Sequence, residues 1–122
     1  MPKKILIVED EPILKEMYEQ KFRQSGFEVY AANDGEEGFS LALRVKPDLI
    51  LLDILLPKEN GLAWLKRVRG NAQLAKIKVV AFSNFDDPNS KNTAAELGVV
   101  DYLIKTNFTP AEVIERVKSH LN

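Results

Sequence analysis

Leu49-Ile50-Leu51-Leu52-Asp53-Ile54-Leu55-Leu56-Pro57 is the stretch that decides the fold. Eight of its nine residues are apolar and the ninth is a carboxylate. Apolar residues in unbroken succession mark a strand covered on both faces, as in a parallel sheet. Asp53 stands where that strand ends, because Pro57 and the turn residues Lys58-Glu59-Asn60-Gly61 follow closely. A carboxylate at the end of such a run is costly to bury unless something binds it. Alone it reads as a turn or capping aspartate. The rest of the chain argues for more.

Upstream, Lys4-Ile5-Leu6-Ile7-Val8 is a second buried strand, cut off by Glu9-Asp10-Glu11, and Pro12 suits the first turn of a helix. Ile13, Leu14, Met17, Tyr18 and Phe22 follow at helical spacing, and Ser25-Gly26 ends them. Residues 28–32 form a shorter strand. Asp34 caps a helix whose apolar stripe is Phe39, Ala42, Leu43 and Val45, halted before Pro47. Downstream of the central strand, Leu62, Leu65 and Val68 mark a helix of two to three turns. That stripe leaves Trp64 off the core side and partly exposed, and Lys66-Arg67-Val68-Arg69 as a solvated basic face.

Residues 78–82 form a fourth strand, ending at Ser83-Asn84. Asp87-Pro88 opens an Ala-rich helix that Gly98 ends. Its stripe (Ala94, Ala95, Leu97) is thin, so it is expected to be the least firmly held element. Residues 99–104 form the fifth strand, ending at Lys105. Thr109-Pro110-Ala111-Glu112 is a capping box that starts a last helix with Val113, Ile114, Val117 and Leu121 inward. His120, in its last turn, meets the helix dipole as a cation would.

Five strands alternating with five helices predict an α/β fold, a doubly wound five-stranded parallel sheet. A length of 122 residues suits one domain, spanning 1–122. The 17 Lys and Arg against 18 Asp and Glu offer no electrostatic footprint for direct nucleic-acid binding. With no cysteine, neither a disulfide framework nor a thiolate metal site is available. The N-terminal apolar run stops at Glu9, too early for a signal peptide or membrane span, so a cytoplasmic location away from membrane is expected.

In such sheets ligands bind beyond the carboxyl ends of the strands. At those ends stand Glu9 and Asp10, then Asp53, then Ser83, then Lys105. Each has a bland structural reading, but all five meeting at one face point to a site. Clustered carboxylates repel and call for a cation, and an all-oxygen set suits Mg²⁺ or Mn²⁺. Lys105 adds a point charge and Ser83 a hydrogen-bond donor for phosphoryl oxygens. A carboxylate so placed can attack phosphorus and form an aspartyl phosphate.

These residues resemble the receiver domains of bacterial response regulators, used in two-component signalling. The resemblance rests on Ile7-Val8-Glu9-Asp10-Glu11, Leu52-Asp53-Ile54 with Leu56-Pro57 and Gly61, Ser83, and Asp101-Tyr102-Leu103 with Lys105. It implies a flavodoxin-like (βα)5 fold with strand order 2-1-3-4-5. It implies Asp53 as phosphoacceptor and Glu9, Asp10, Asp53 and the Leu55 backbone carbonyl as Mg²⁺ ligands. Lys105 would bind the phosphoryl group, and Ser83 and Tyr102 would form a switch. The donor would be a histidine kinase or histidine phosphotransfer protein. The output would pass to a protein partner through the surface of the fourth helix, fifth strand and fifth helix. Such a domain catalyses only its own phosphorylation and dephosphorylation.

Three departures from the family pattern stand out. Glu9 lies where Asp is commoner, Asn84 where a small residue is usual, and Thr106 where proline follows a cis bond. Without proline the cis form costs about 3–4 kcal/mol. Leu55 and Phe85 flank the path of hydrolytic water and are apolar, so with Asn84 they are expected to modulate the phosphoryl lifetime, lengthening it by shielding. Two rivals fit less well. A haloacid-dehalogenase-type phosphatase needs an acid two residues after its Asp nucleophile, where Leu55 stands. A flavodoxin-type phosphate loop would not begin Glu9-Asp10-Glu11.

Overall fold

The computed structural model describes residues 2–84 and 86–122. The strands are β1 (Lys4–Val8), β2 (Glu28–Ala32), β3 (Leu49–Asp53), β4 (Lys78–Ser83) and β5 (Asp101–Ile104). The helices are α1 (Pro12–Gln24), α2 (Gly35–Val45), α3 (Gly61–Arg69), α4 (Pro88–Glu96) and α5 (Pro110–Leu121). All strand pairs are parallel, in the order β2-β1-β3-β4-β5. That is the predicted doubly wound fold and strand order.

The sheet buries two cores because successive side chains point to opposite faces. Ile5, Ile7, Leu49, Leu51, Val80, Phe82 and Leu103 face α1 and α5, packing on Tyr18, Phe22, Val113, Ile114 and Val117. Leu6, Val8, Ile50, Leu52, Val79 and Ala81 face the other way, against Ala42, Trp64, Leu65 and Val68 of α2 and α3. Every residue of β3 is buried, as a central strand covered on both sides requires.

Local signals set most helix ends. The Asp34 carboxylate accepts from the Glu37 N–H, and Asp87 accepts from Asn89 ahead of Pro88. The predicted capping box forms in both directions between Thr109 and Glu112. Asn60, which the sequence reading placed only in a turn, caps α3 through Leu62 N–H.

Three expectations need correction. Trp64 is fully buried, and its indole N–H donates to the Gly35 carbonyl at 2.7 Å. With α3 starting after Asn60, the inward stripe is Gly61, Trp64, Leu65 and Val68, and Leu62 falls to the side. Arg69 is not on a solvated face. It is half-buried and donates to the carbonyls of Leu97, Ala75, Ile77 and Gly98. Strand β5 begins at Asp101 rather than at residue 99, although the Val100 N–H already donates to Val79. His120 lies in the last turn of α5 as expected, with its ring turned to Asp101, 3.0 Å away, and the Lys78 Nζ donates to His120 O.

Candidate functional site

The register brings the candidate residues together. Val8 pairs with Leu52 and Asp53 with Phe82, so Glu9, Asp53 and the end of β4 stand side by side at the carboxyl edge. One carboxylate oxygen from each of Glu9, Asp10 and Asp53 lies within 4.8 Å of the other two. Glu9 and Asp53 are buried and Asp10 is exposed, so the cluster opens to solvent on the Asp10 side.

Lys105 ties the cluster together. Its Nζ is 2.8 Å from Glu9 Oε1 and 3.3 Å from Asp53 Oδ2. It reaches them from a 3-10 turn at Lys105–Asn107, and the peptide linking Lys105 to Thr106 is trans. The departure at Thr106 therefore leaves the lysine within reach of the acids. Glu9 uses its second oxygen, Oε2, to accept the Glu11 N–H at 3.2 Å, pinning the entry to α1, whose own N-cap makes no side-chain bond. Asp53 Oδ1 accepts the Leu55 N–H at 3.0 Å.

Electrostatics follows from that crowding. Burial, then the neighbouring Glu9 charge and hydrogen bond, push Asp53 from 3.8 up to about 7, against the opposing pull of Lys105. Burial acts to lower the Lys105 ammonium, yet its bond to Glu9 and the Asp53 charge outweigh that and leave it raised. Tyr18, on α1, is pushed up to about 12 by burial and then by Glu9, so its hydroxyl stays protonated. Three carboxylates against one ammonium leave negative charge for a cation to neutralise, and the donors are all oxygen. Glu9, Asp10 and Asp53 therefore fit a hard divalent metal.

The remaining predicted residues fall as follows. Ser83 is buried at the end of β4, on the carboxyl edge with the acids. Tyr102 is half-buried in β5, and its hydroxyl is buried with no hydrogen-bond partner among the described residues. The Leu55 side chain and Asn84 are exposed, and Phe85 lies outside the described residues.

Two features escaped the sequence reading. A Cβ at Gly61 would stand 2.6 Å from the Asp53 carbonyl oxygen and 2.7 Å from Ile54 Cα. Glycine there lets α3 start directly against the end of β3, and the Gly61 N–H donates to Ile54 O at 2.7 Å. The turn Lys58-Glu59-Asn60-Gly61 was visible, but not how close it folds back. The second is Phe82, which in sequence is one more apolar strand residue. Its ring lies 5.2 Å below the Lys105 ammonium.

A five-stranded parallel sheet in this order gathers acids, a hydroxyl and a lysine at its carboxyl edge, and known proteins share this architecture. The response regulator receiver domain model matches residues 5–118. The chain is 39% identical over 121 residues to the alkaline phosphatase synthesis transcriptional regulatory protein PhoP of Bacillus subtilis, covering 99% of this chain and 49% of that protein. The receiver domain of Klebsiella pneumoniae RstA, solved in its BeF3-activated form, is 29% identical with a TM-score of 0.87, covering 98% of each chain. The Vibrio cholerae chemotaxis protein CheY4 shares the fold at 24% identity and a TM-score of 0.90, again over 98% of each chain. The chain belongs to the response regulator receiver domain family. It is thus a signalling domain of two-component systems, a class that interacts with histidine kinases. The chain spans about half the length of the curated relatives it matches. No helix among the described residues is long and apolar enough to cross a membrane.

Proposed function

We propose that the chain works as one receiver unit over residues 1–122, taking a phosphoryl group onto Asp53 from a phosphohistidine of a histidine kinase or histidine phosphotransfer protein. The observation that carries this reading is Lys105 Nζ bridging Glu9 and Asp53, with Asp10 in the same acidic group. An Asp53 carboxylate oxygen forms the new bond to phosphorus as the donor's N–P bond breaks, and the imidazole leaves with the bonding pair. Lys105 moves from the carboxylate to a phosphoryl oxygen, and Ser83 donates to another. Mg²⁺ or Mn²⁺, held by Glu9, Asp10, Asp53 and the Leu55 carbonyl, would supply the charge neutralisation that phosphoryl transfer needs.

The switch follows from Ser83 and Tyr102. A phosphoryl group draws the Ser83 hydroxyl inward, and the Tyr102 ring moves into the space vacated. A buried hydroxyl without a partner is costly, so the Tyr102 hydroxyl, which has no hydrogen-bond partner among the described residues, supports a residue poised to move. The change is passed to a protein partner through the surface of α4, β5 and α5. The B. subtilis relative is by name a transcriptional regulatory protein, which favours an output onto transcription. Apolar Leu55 and Phe85 in place of water-holding groups make the phosphorylated form long-lived.

Acetyl phosphate with Mg²⁺, read by intact mass, tests the proposal. One phosphoryl adduct is expected on the parent chain, none on Asp53→Asn, and much less on Asp10→Ala. Full labelling of Asp53→Asn refutes the assignment.

A further inference from the structure

Lysine is a poor positioning device by itself. Its four-carbon stem rotates freely, and ordering it costs rotamer entropy. Here its ammonium also has two competing anions, at 2.8 Å on Glu9 and 3.3 Å on Asp53. Something besides these carboxylates must define where the charge sits once a phosphoryl group takes over an Asp53 oxygen.

Phe82 stands in register with Asp53 on the neighbouring strand, so the two side chains share the α1 and α5 face of the sheet. The Lys105 Nζ lies 5.2 Å from the Phe82 ring centroid, within the range over which a cation is attracted to a ring face. Phe82 is 3% exposed, and a desolvated contact of this kind is stronger than one in water. Phe82 is itself held. The Tyr18 ring meets it at 5.5 Å and 87° between planes, a favoured edge-to-face arrangement. Behind Tyr18, Phe22 follows at 6.2 Å and Phe27 at 5.7 Å from Phe22. A chain of aromatic rings through α1 therefore ends under the Lys105 charge.

We infer that Phe82, braced by Tyr18, is a positioning residue for Lys105, a platform that holds the ammonium over the acidic cluster in both the free and the phosphorylated states. The inference rests on the proposed role of Lys105 in binding the phosphoryl group. A ring face suits this task because its attraction has no single preferred hydrogen-bond direction. The ammonium can slide from Asp53 Oδ2 toward a phosphoryl oxygen without leaving the platform, whereas a third carboxylate would hold it back. Without the platform the lysine spends less time in the competent position, and labelling slows with that fraction.

Two measurements test it. The first is the ¹H–¹³C spectrum of lysine-labelled protein. The ε-methylene protons of Lys105 should be shifted upfield by the Phe82 ring, and Phe82→Leu should remove the shift while unfolding remains cooperative. The second replaces Phe82 with phenylalanines bearing one, two and three ring fluorines, which weaken the ring's negative face and leave its shape nearly unchanged. Labelling of Asp53 by acetyl phosphate should slow stepwise, by about two- to tenfold at three fluorines. In a Lys105→Met background the residual rate should be flat across the series. Methylene shifts indifferent to Phe82→Leu overturn the platform. So does a normal shift with labelling unaffected by fluorination, which leaves Asp53 as phosphoacceptor untouched. Absence of labelling in the parent chain refutes the phosphoacceptor reading instead, and the methylene shifts then decide on the platform alone.

Discussion

Asp53→Asn should change how stability depends on pH, and the size of that change follows from the site. In the parent, burial and the adjacent Glu9 raise the Asp53 pKa from 3.8 to about 7. A folded-state pKa above the unfolded one means that the native chain binds the extra proton between those values. The protonated carboxyl therefore contributes stability that is fully present below the unfolded pKa and is lost as pH rises through about 7. At about 1.4 kcal/mol per pH unit, the whole loss is about 4 kcal/mol. Asparagine cannot ionise, and its carbonyl can still accept the Leu55 N–H, so the variant lacks this loss. Lys105 bonds Glu9 at 2.8 Å in the parent, and the substitution leaves that partner in place. Between about pH 5 and pH 8 the stability of Asp53→Asn relative to the parent should grow by about 3 kcal/mol. Urea unfolding in chelator-treated buffer measures it, followed by the fluorescence of Trp64, which is buried in the fold. Divalent metal added at the upper pH should shrink the gap, because it stabilises the ionised parent by mass action. A difference that stays constant across the range, or an advantage that grows as pH falls, would refute the reasoning.

Gly61→Ala should destabilise the chain by about 1–3 kcal/mol and slow labelling of Asp53, because the added methyl meets the backbone of Asp53 and Ile54 rather than a side chain that can move. Paired denaturation and labelling measurements check it, and unchanged stability would mean that the β3–α3 junction relaxes freely. Arg69→Met should loosen the carboxyl end of α4, since Arg69 serves the Leu97 and Gly98 carbonyls and Ala94 is the one buried side chain that α4 contributes. Hydrogen exchange at residues 93–98 should rise about tenfold or more on loss of those bonds to a charged donor, with the core strands unaffected; equal protection in both proteins would count against the clamp.

How much of this could be read from sequence depended on whether the signal was local. The apolar runs at residues 5–8 and 49–52, the Asp34 cap and the Thr109-Glu112 box carry their own physics in a few residues, and those elements formed as expected. The acids and Lys105 were legible for the same reason. Each ends a strand or stands within two residues of its end, and parallel strands deliver their carboxyl ends to one edge. Trp64 was misjudged because the phase of the α3 stripe depends on where the helix starts, and the Asn60 cap that sets the phase was read only as a turn residue.

The sequence by itself determined the α/β class, the element order and the identity of the residues at the carboxyl edge, since period, caps and strand ends are properties of neighbouring positions. Only the tertiary structure decided which of those residues touch. Glu9 became the main partner of Lys105, 96 positions away. Asp101 drew in Arg116 and His120, and Arg69 left the surface for four carbonyls. Phe82 changed from core filler to the floor beneath a charge. The physical reason is the same in each case: a contact between distant positions is set by strand register and helix phase acting together, and neither is written at either residue alone.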